Sequence, residues 1–168
     1  MTEFRTEIIN EIDDPEGDLI GFTCGAMDLF HAGHVLMLKE AADECDHLIV
    51  GLHTDPTIDR PSKNKPIQSL DERRIQLEAC AYVDAIIEYD TEEHLVEILQ
   101  GLYDEWGENF VRFIGMDWKG KPYTGHELPI MMYYNQRDHG FSSSELRKRI
   151  YEAEKKKEPR VIEPPHRF

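Results

Sequence analysis

The chain has 168 residues, of which 19 are basic, 34 acidic and 40% hydrophobic, for a net charge of −15. Its length and apolar content suit one compact domain with a real core. The charge opposes loose adsorption to nucleic acid or to an anionic membrane, so a small anionic substrate must meet a locally basic pocket.

Residues 1–18, with Glu3, Glu7, Glu11, Asp13, Asp14, Glu16 and Asp18, read as an acidic extension rather than an export signal, with a short helix expected around 6–12. No apolar run approaches the length of a membrane span. A first strand is expected over 19–23. A helix follows over 32–45, where Val35, Leu36, Leu38, Ala41 and Ala42 recur at helical spacing. The β-branched run at 46–52 reads as a second, buried parallel strand. A loop rich in proline and charge, 54–68, precedes a helix opened by Ser69 and Glu72, the capping-box spacing, and expected to run to about residue 81. A strand over 84–88, a helix over 91–105, a strand over 110–114 and a strand over 130–134 come next. A closing helix, again opened by a capping-box pair, Ser142 and Glu145, is expected to about residue 151. Strands alternating with helices predict an α/β fold: a Rossmann-like open parallel five-stranded sheet with helices on both faces. The domain is placed at 19–152, with a proline-rich, basic tail over 153–168. Three widely spaced cysteines, Cys24, Cys45 and Cys80, fit reduced thiols in a cytosolic protein better than a disulfide framework.

The chemistry concentrates where the first strand meets the first helix. Gly25, Asp28, His31, Gly33 and His34 form a strand-to-helix turn suited to gripping phosphate, because Gly33 lets the backbone approach an anion and the helix N-terminus adds positive potential. A nucleoside triphosphate is the expected ligand. A structural zinc pair is the competing reading of His31 and His34, but no cysteine or acid falls at zinc-like spacing. In an open α/β sheet, ligands bind at the carboxyl ends of the strands. The 31–34 turn, the 114–123 loop and the 137–144 turn are therefore expected to share one cleft.

These blocks resemble the HxGH nucleotidyltransferase superfamily, most closely the glycerol-3-phosphate cytidylyltransferases. Gly25, Asp28, His31, Gly33 and His34 match the HxGH signature. Asp71, Glu72, Arg73 and Arg74 open a helix ending at Tyr82, Val83 and Asp84, and Gly115, Asp117, Trp118, Gly120 and Lys121 follow. Arg137, Gly140, Phe141, Ser142, Ser143 and Ser144 are similar to the family's RTxGISTT block. The resemblance covers roughly residues 20–150 and implies transfer of CMP from CTP to a small phosphorylated alcohol, glycerol 3-phosphate first, with release of pyrophosphate. It implies His31, His34, Arg137 and Ser143 as catalytic residues. Nucleotide contacts are expected from Gly25, Ala26, Met27, Asp28, Gly33, Arg73, Gly115, Asp117, Trp118, Gly140, Phe141, Ser142 and Ser144, with Lys63 and Lys65 as further cations. Mg²⁺ would accompany the triphosphate, with Asp28 as the nearest acidic contact or else as a brace for the turn. No metal held by protein ligands alone is expected, and the resemblance implies a homodimer.

Some positions depart from the pattern. Ala26 replaces a threonine or serine, Ala81 an arginine, Asp138 a threonine, and Ser62 and Asn64 stand where lysines are common. An acid gained and an arginine lost near the cleft would fit an acceptor bearing an amine or fewer negative charges. An adenylyltransferase using ATP and a catalytically silent nucleotide sensor are the alternatives. A class I aminoacyl-tRNA synthetase fragment shares the turn, but this chain is short, acidic and without a KMSKS-like loop.

Overall fold

The computed structural model describes residues 17–157. Five strands, β1 (Ile20–Gly25), β2 (His47–His53), β3 (Ala85–Tyr89), β4 (Phe110–Gly115) and β5 (Met131–Asn135), pair in the order β3-β2-β1-β4-β5, every pair parallel. Four helices connect or follow them: α1 (Ala32–Asp43), α2 (Leu70–Glu78), α3 (Glu92–Trp106) and α4 (Ser143–Lys155). The expected fold class is the one observed.

Strand side chains alternate between two cores, as period-two geometry requires. Ile49 packs with Ile20, Phe22, Phe110 and the Leu95, Ile98, Leu99 and Leu102 stripe of α3. Leu48, Val50 and Leu52 join Leu38, Ala41, Leu77, Val111 and Phe113 under α1 and α2. The chain folds back between β1 and β4, because β2 and β3 extend one way from β1 while β4 and β5 extend the other. Connections leaving the carboxyl ends of β1 and β4 diverge there and leave a crevice.

Differences from expectation are local. α2 stops at Glu78, three residues early, and a turn closed by the Val83 amide on the Cys80 carbonyl leads into β3. α4 runs four residues beyond the expected end, through Glu152, Ala153, Glu154 and Lys155, where long straight side chains favour helix and a basic last turn suits the dipole. Ser69 and Glu72 make the full reciprocal capping box, whereas at α4 the Ser142 hydroxyl accepts from the Glu145 amide. The expected helix at 6–12 lies outside the described residues. Among the described residues no helix is long and apolar enough to cross a membrane, and Cys24, Cys45 and Cys80 are unpaired.

Candidate active site

The β1–α1 turn is built by its own histidines. His31 is the N-cap of α1; its Nδ1 accepts the Gly33 amide at 3.0 Å, while the His31 amide donates to His34 Nδ1 at 3.4 Å. Two imidazoles thus form a reciprocal capping pair in place of the usual hydroxyl and carboxylate. With each Nδ1 occupied as an acceptor, the ring proton sits on Nε2, so both rings present a neutral N–H donor outward. Burial, followed by the neighbouring His31, pushes His34 down to about 4. Burial, followed by His139, Arg137 and Arg149, lowers His31 too. The glycine between them has a packing reason: a Cβ on Gly33 would stand 2.8 Å from His31 Cε1 and 3.1 Å from His139 Cε1.

The preceding turn is strained, with Met27 and Leu29 both at φ 51°, in the left-handed region that non-glycine residues avoid. A network of hydrogen bonds and one ion pair surrounds it. Asp28 Oδ1 accepts the Ile67 and Gln68 amides, each at 2.9 Å, and Oδ2 pairs with Arg147 of α4. The Leu29 amide donates to Gln68 Oε1 at 2.7 Å. Arg73, 2% exposed, donates to the carbonyls of Ala26, His53, Thr54, Gln68 and Ser69. Ser143 Oγ donates to the Asp28 carbonyl at 3.3 Å and lies 3.1 Å from His31 Nε2.

That last contact joins positions 112 residues apart and places the N-terminus of α4 against the N-terminus of α1. Between them lies a cleft of about 250 Å³, lined by Gly25, Ala26, Met27, His31, Gly33 and His34 from the turn. Gly115, Asp117 and Trp118 reach it from the end of β4, and Arg137, Phe141 and Ser143 from the segment before α4 and its first turn. The three segments expected to converge do so.

Other expected contacts stand elsewhere. Arg73 is a buried brace rather than a cationic clamp, since its guanidinium is spent on main-chain carbonyls. Asp28 does not line the cleft; both its oxygens are committed, so of its two expected roles the structure shows the brace. Ser142 spends its hydroxyl as the α4 N-cap. Gly140 and Ser144 do not line the cleft, nor do Lys63 and Lys65; Lys65 sits 3.5 Å from Asp55. Of the departures read as near the cleft, Ala81 is in the turn before β3, at the opposite edge of the sheet, and Asp138 is exposed and off the cleft wall. A carboxylate facing the cleft is Asp117, exposed at its rim. That fits Mg²⁺ carried on a triphosphate's own oxygens better than a closed protein site. Among the described residues, His53, Asp59 and Glu92 group closely enough to share an ion. Arg60 already fills that position, with Nη2 2.7 Å from Glu92 Oε1 and 3.4 Å from His53 Nδ1.

Asn135 and Arg147 stand outside every block read from the sequence, and His139 stood out there only for lying within residues 137–144. Asn135, at the end of β5 and 4% exposed, lines the cleft with neither amide atom partnered. His139 lines it with Nδ1 unpartnered. The Arg147–Asp28 pair ties α4 to the turn. Asn135 left no sequence signal, because a polar residue closing an apolar strand looks like an ordinary strand end.

A family model described as "Cytidylyltransferase-like" matches residues 22–149. A bifunctional protein HldE of Campylobacter curvus is 31% identical over 151 residues, covering 89% of this chain and 31% of that protein. An ethanolamine-phosphate cytidylyltransferase of Arabidopsis thaliana is 47% identical over 64 residues, covering 38% of this chain and 15% of that protein. The chain thus spans less than a third of the length of these relatives. Among solved structures, a bifunctional NMN adenylyltransferase/ADP ribose pyrophosphatase of Francisella tularensis superposes with a TM-score of 0.57 at 16% identity, over 81% of this chain and 43% of that one, a likeness of fold.

Proposed function

Because the chain belongs to the cytidylyltransferase-like family, we propose that it is a nucleotidyltransferase that moves CMP from CTP to a small phosphorylated alcohol, with glycerol 3-phosphate the first acceptor to try. The observation that carries this reading is the His31 Nε2 to Ser143 Oγ contact at 3.1 Å, which brings imidazoles, a hydroxyl and two helix N-termini to one cleft.

In the proposed step, an acceptor phosphate oxygen attacks the α-phosphorus, a new P–O bond forms, and the bridging α–β P–O bond breaks with its electron pair leaving on pyrophosphate. The attacking oxygen is anionic near neutral pH, so no strong general base is needed, and rate comes from alignment and charge stabilisation. His31 and His34 are suited to this as neutral Nε2–H donors whose rings are held in place by their Nδ1 bonds before the substrate arrives; the His31 Nε2–H passes from Ser143 Oγ to a phosphate oxygen. Ser143 and the α4 N-terminus favour the leaving phosphates, and Arg137, exposed at the rim, supplies a mobile positive charge. Asn135 offers an unpaired donor and acceptor suited to the edge of a nucleobase. Mg²⁺, arriving with the triphosphate, would neutralise part of its charge. The homodimer and the cytosolic setting belong to this reading as well.

The test is pyrophosphate release with CTP or ATP, Mg²⁺ and a panel of phosphorylated alcohols, with the product identified by mass. Expected is a CDP-alcohol from CTP. Nucleotide binding without turnover on any acceptor would replace the transferase with a sensor, and turnover with ATP alone would replace the base.

A further inference from the structure

A second hollow of about 180 Å³ adjoins the cleft, sharing Cys24, Gly25, Met37, Gly115 and Trp118 as common wall. Its polar wall is Arg60, Tyr89, Glu92, Arg112, Tyr123 and Thr124. We propose that this chamber receives the part of the acceptor beyond its phosphate, and that it selects a neutral, hydroxyl-bearing group, a polyol or a sugar, over a primary or quaternary ammonium. The inference rests on the transferase reading above and assigns a specificity that reading leaves open.

Arg112 projects from the middle of β4 and is 4% exposed, an uncommon place for a guanidinium. One nitrogen donates to the Thr124 carbonyl, but Nε has no acceptor. Arg60 Nε is likewise buried and unpartnered. A buried donor without a partner is costly, and an apolar ligand would leave both in that state. Hydroxyl oxygens would satisfy them.

Ammonium is disfavoured because it has no lone pair to offer the unpartnered Arg60 and Arg112 Nε donors. Of the two carboxylates at this end of the chamber, Glu92 has Oε1 2.7 Å from Arg60 Nη2 and Oε2 accepting the Thr124 hydroxyl, and Asp59 accepts the Glu92 amide. Their charge is matched by the two guanidiniums. Nor do the aromatic rings form an open cage for a cation. The Arg112 guanidinium already lies over Tyr123, 5.5 Å from its centroid, and His53 stacks on Tyr89 at 4.3 Å. A hydroxyl can accept from both arginine Nε donors and also donate to a remaining Glu92 lone pair, whereas an ammonium can do only the second.

Two measurements test this. Turnover with CTP and Mg²⁺ is compared across glycerol 3-phosphate, a hexose 1-phosphate, phosphoethanolamine and phosphocholine. Thermal stabilisation of the free protein by the same four compounds is read without nucleotide. The hydroxyl-bearing phosphates should lead in both. Arg60→Met and Glu92→Gln, at half-buried positions that tolerate change, should raise the KM for the favoured phosphate at least about tenfold, with the CTP KM within about twofold of wild type. Arg112→Met, where it folds, should do the same. Preference for either ammonium compound, or an unchanged acceptor KM in both half-buried variants, overturns the chamber assignment and leaves the transferase standing. Stabilisation by the hydroxyl-bearing phosphates, weakened in Arg60→Met but without any pyrophosphate release, does the reverse.

Discussion

His34→Ala separates a donor role from an acid–base role. His34 has its pKa held at about 4 in the folded chain, against 6.5 for an ordinary histidine, chiefly by burial. Between those values the unfolded chain binds the proton and the folded chain does not, so acid favours unfolding through this residue. Its full contribution to stability is present above about pH 6.5 and is lost as pH falls toward 4. At pH 5 linkage puts the loss at about 2 kcal/mol, and the complete loss below both pKa values at about 3 kcal/mol. Alanine removes the titration. Urea unfolding at pH 8 and pH 5 should therefore show the unfolding free energy of the variant falling by about 2 kcal/mol less than that of wild type, since the other titrating groups are common to both. Turnover at pH 8 should fall about 10²- to 10³-fold, the range for loss of one positioned donor to developing charge. The wild-type kcat should show no ionisation belonging to His34 above about pH 5. Identical pH dependence of stability in the two proteins would refute buried neutrality, and wild-type turnover in the variant would refute the donor role.

Ser143→Ala removes the hydroxyl between His31 and the Asp28 carbonyl; kcat/KM should fall about 10- to 100-fold with a melting temperature within a few degrees of wild type, and unchanged kinetics would deny the α4 N-terminus its place in the site. Arg73→Met strands five carbonyls that its guanidinium now serves. It should lose at least about 3 kcal/mol in urea unfolding, and an unshifted midpoint would contradict the brace. Chelation of Mg²⁺ should stop turnover while leaving the melting temperature of the nucleotide-free protein unmoved. A drop on chelation would mean a metal bound by the protein itself.

The order of elements, the parallel sheet and the three segments that line the cleft were legible in the sequence, because hydrophobic period, capping pairs and glycine placement are local and survive in one dimension. Ser69 with Glu72 marked a helix start, and His31, Gly33 and His34 marked a turn, by spacing alone. Which side chains face the cleft was not legible. Arg73 and Asp28 have the chemistry of phosphate and metal contacts, and only the packing of the 54–68 loop and α4 around the β1–α1 turn converts them into braces. Ala81 is within a family block yet at the far edge of the sheet. Asn135, Arg112, Arg60 and Glu92 carry no motif, since their roles arise from being buried beside one another. Burial and mutual distance are properties of the folded chain: they decide whether a charge is spent internally or left for a ligand, and they exist only once strands distant in sequence lie side by side.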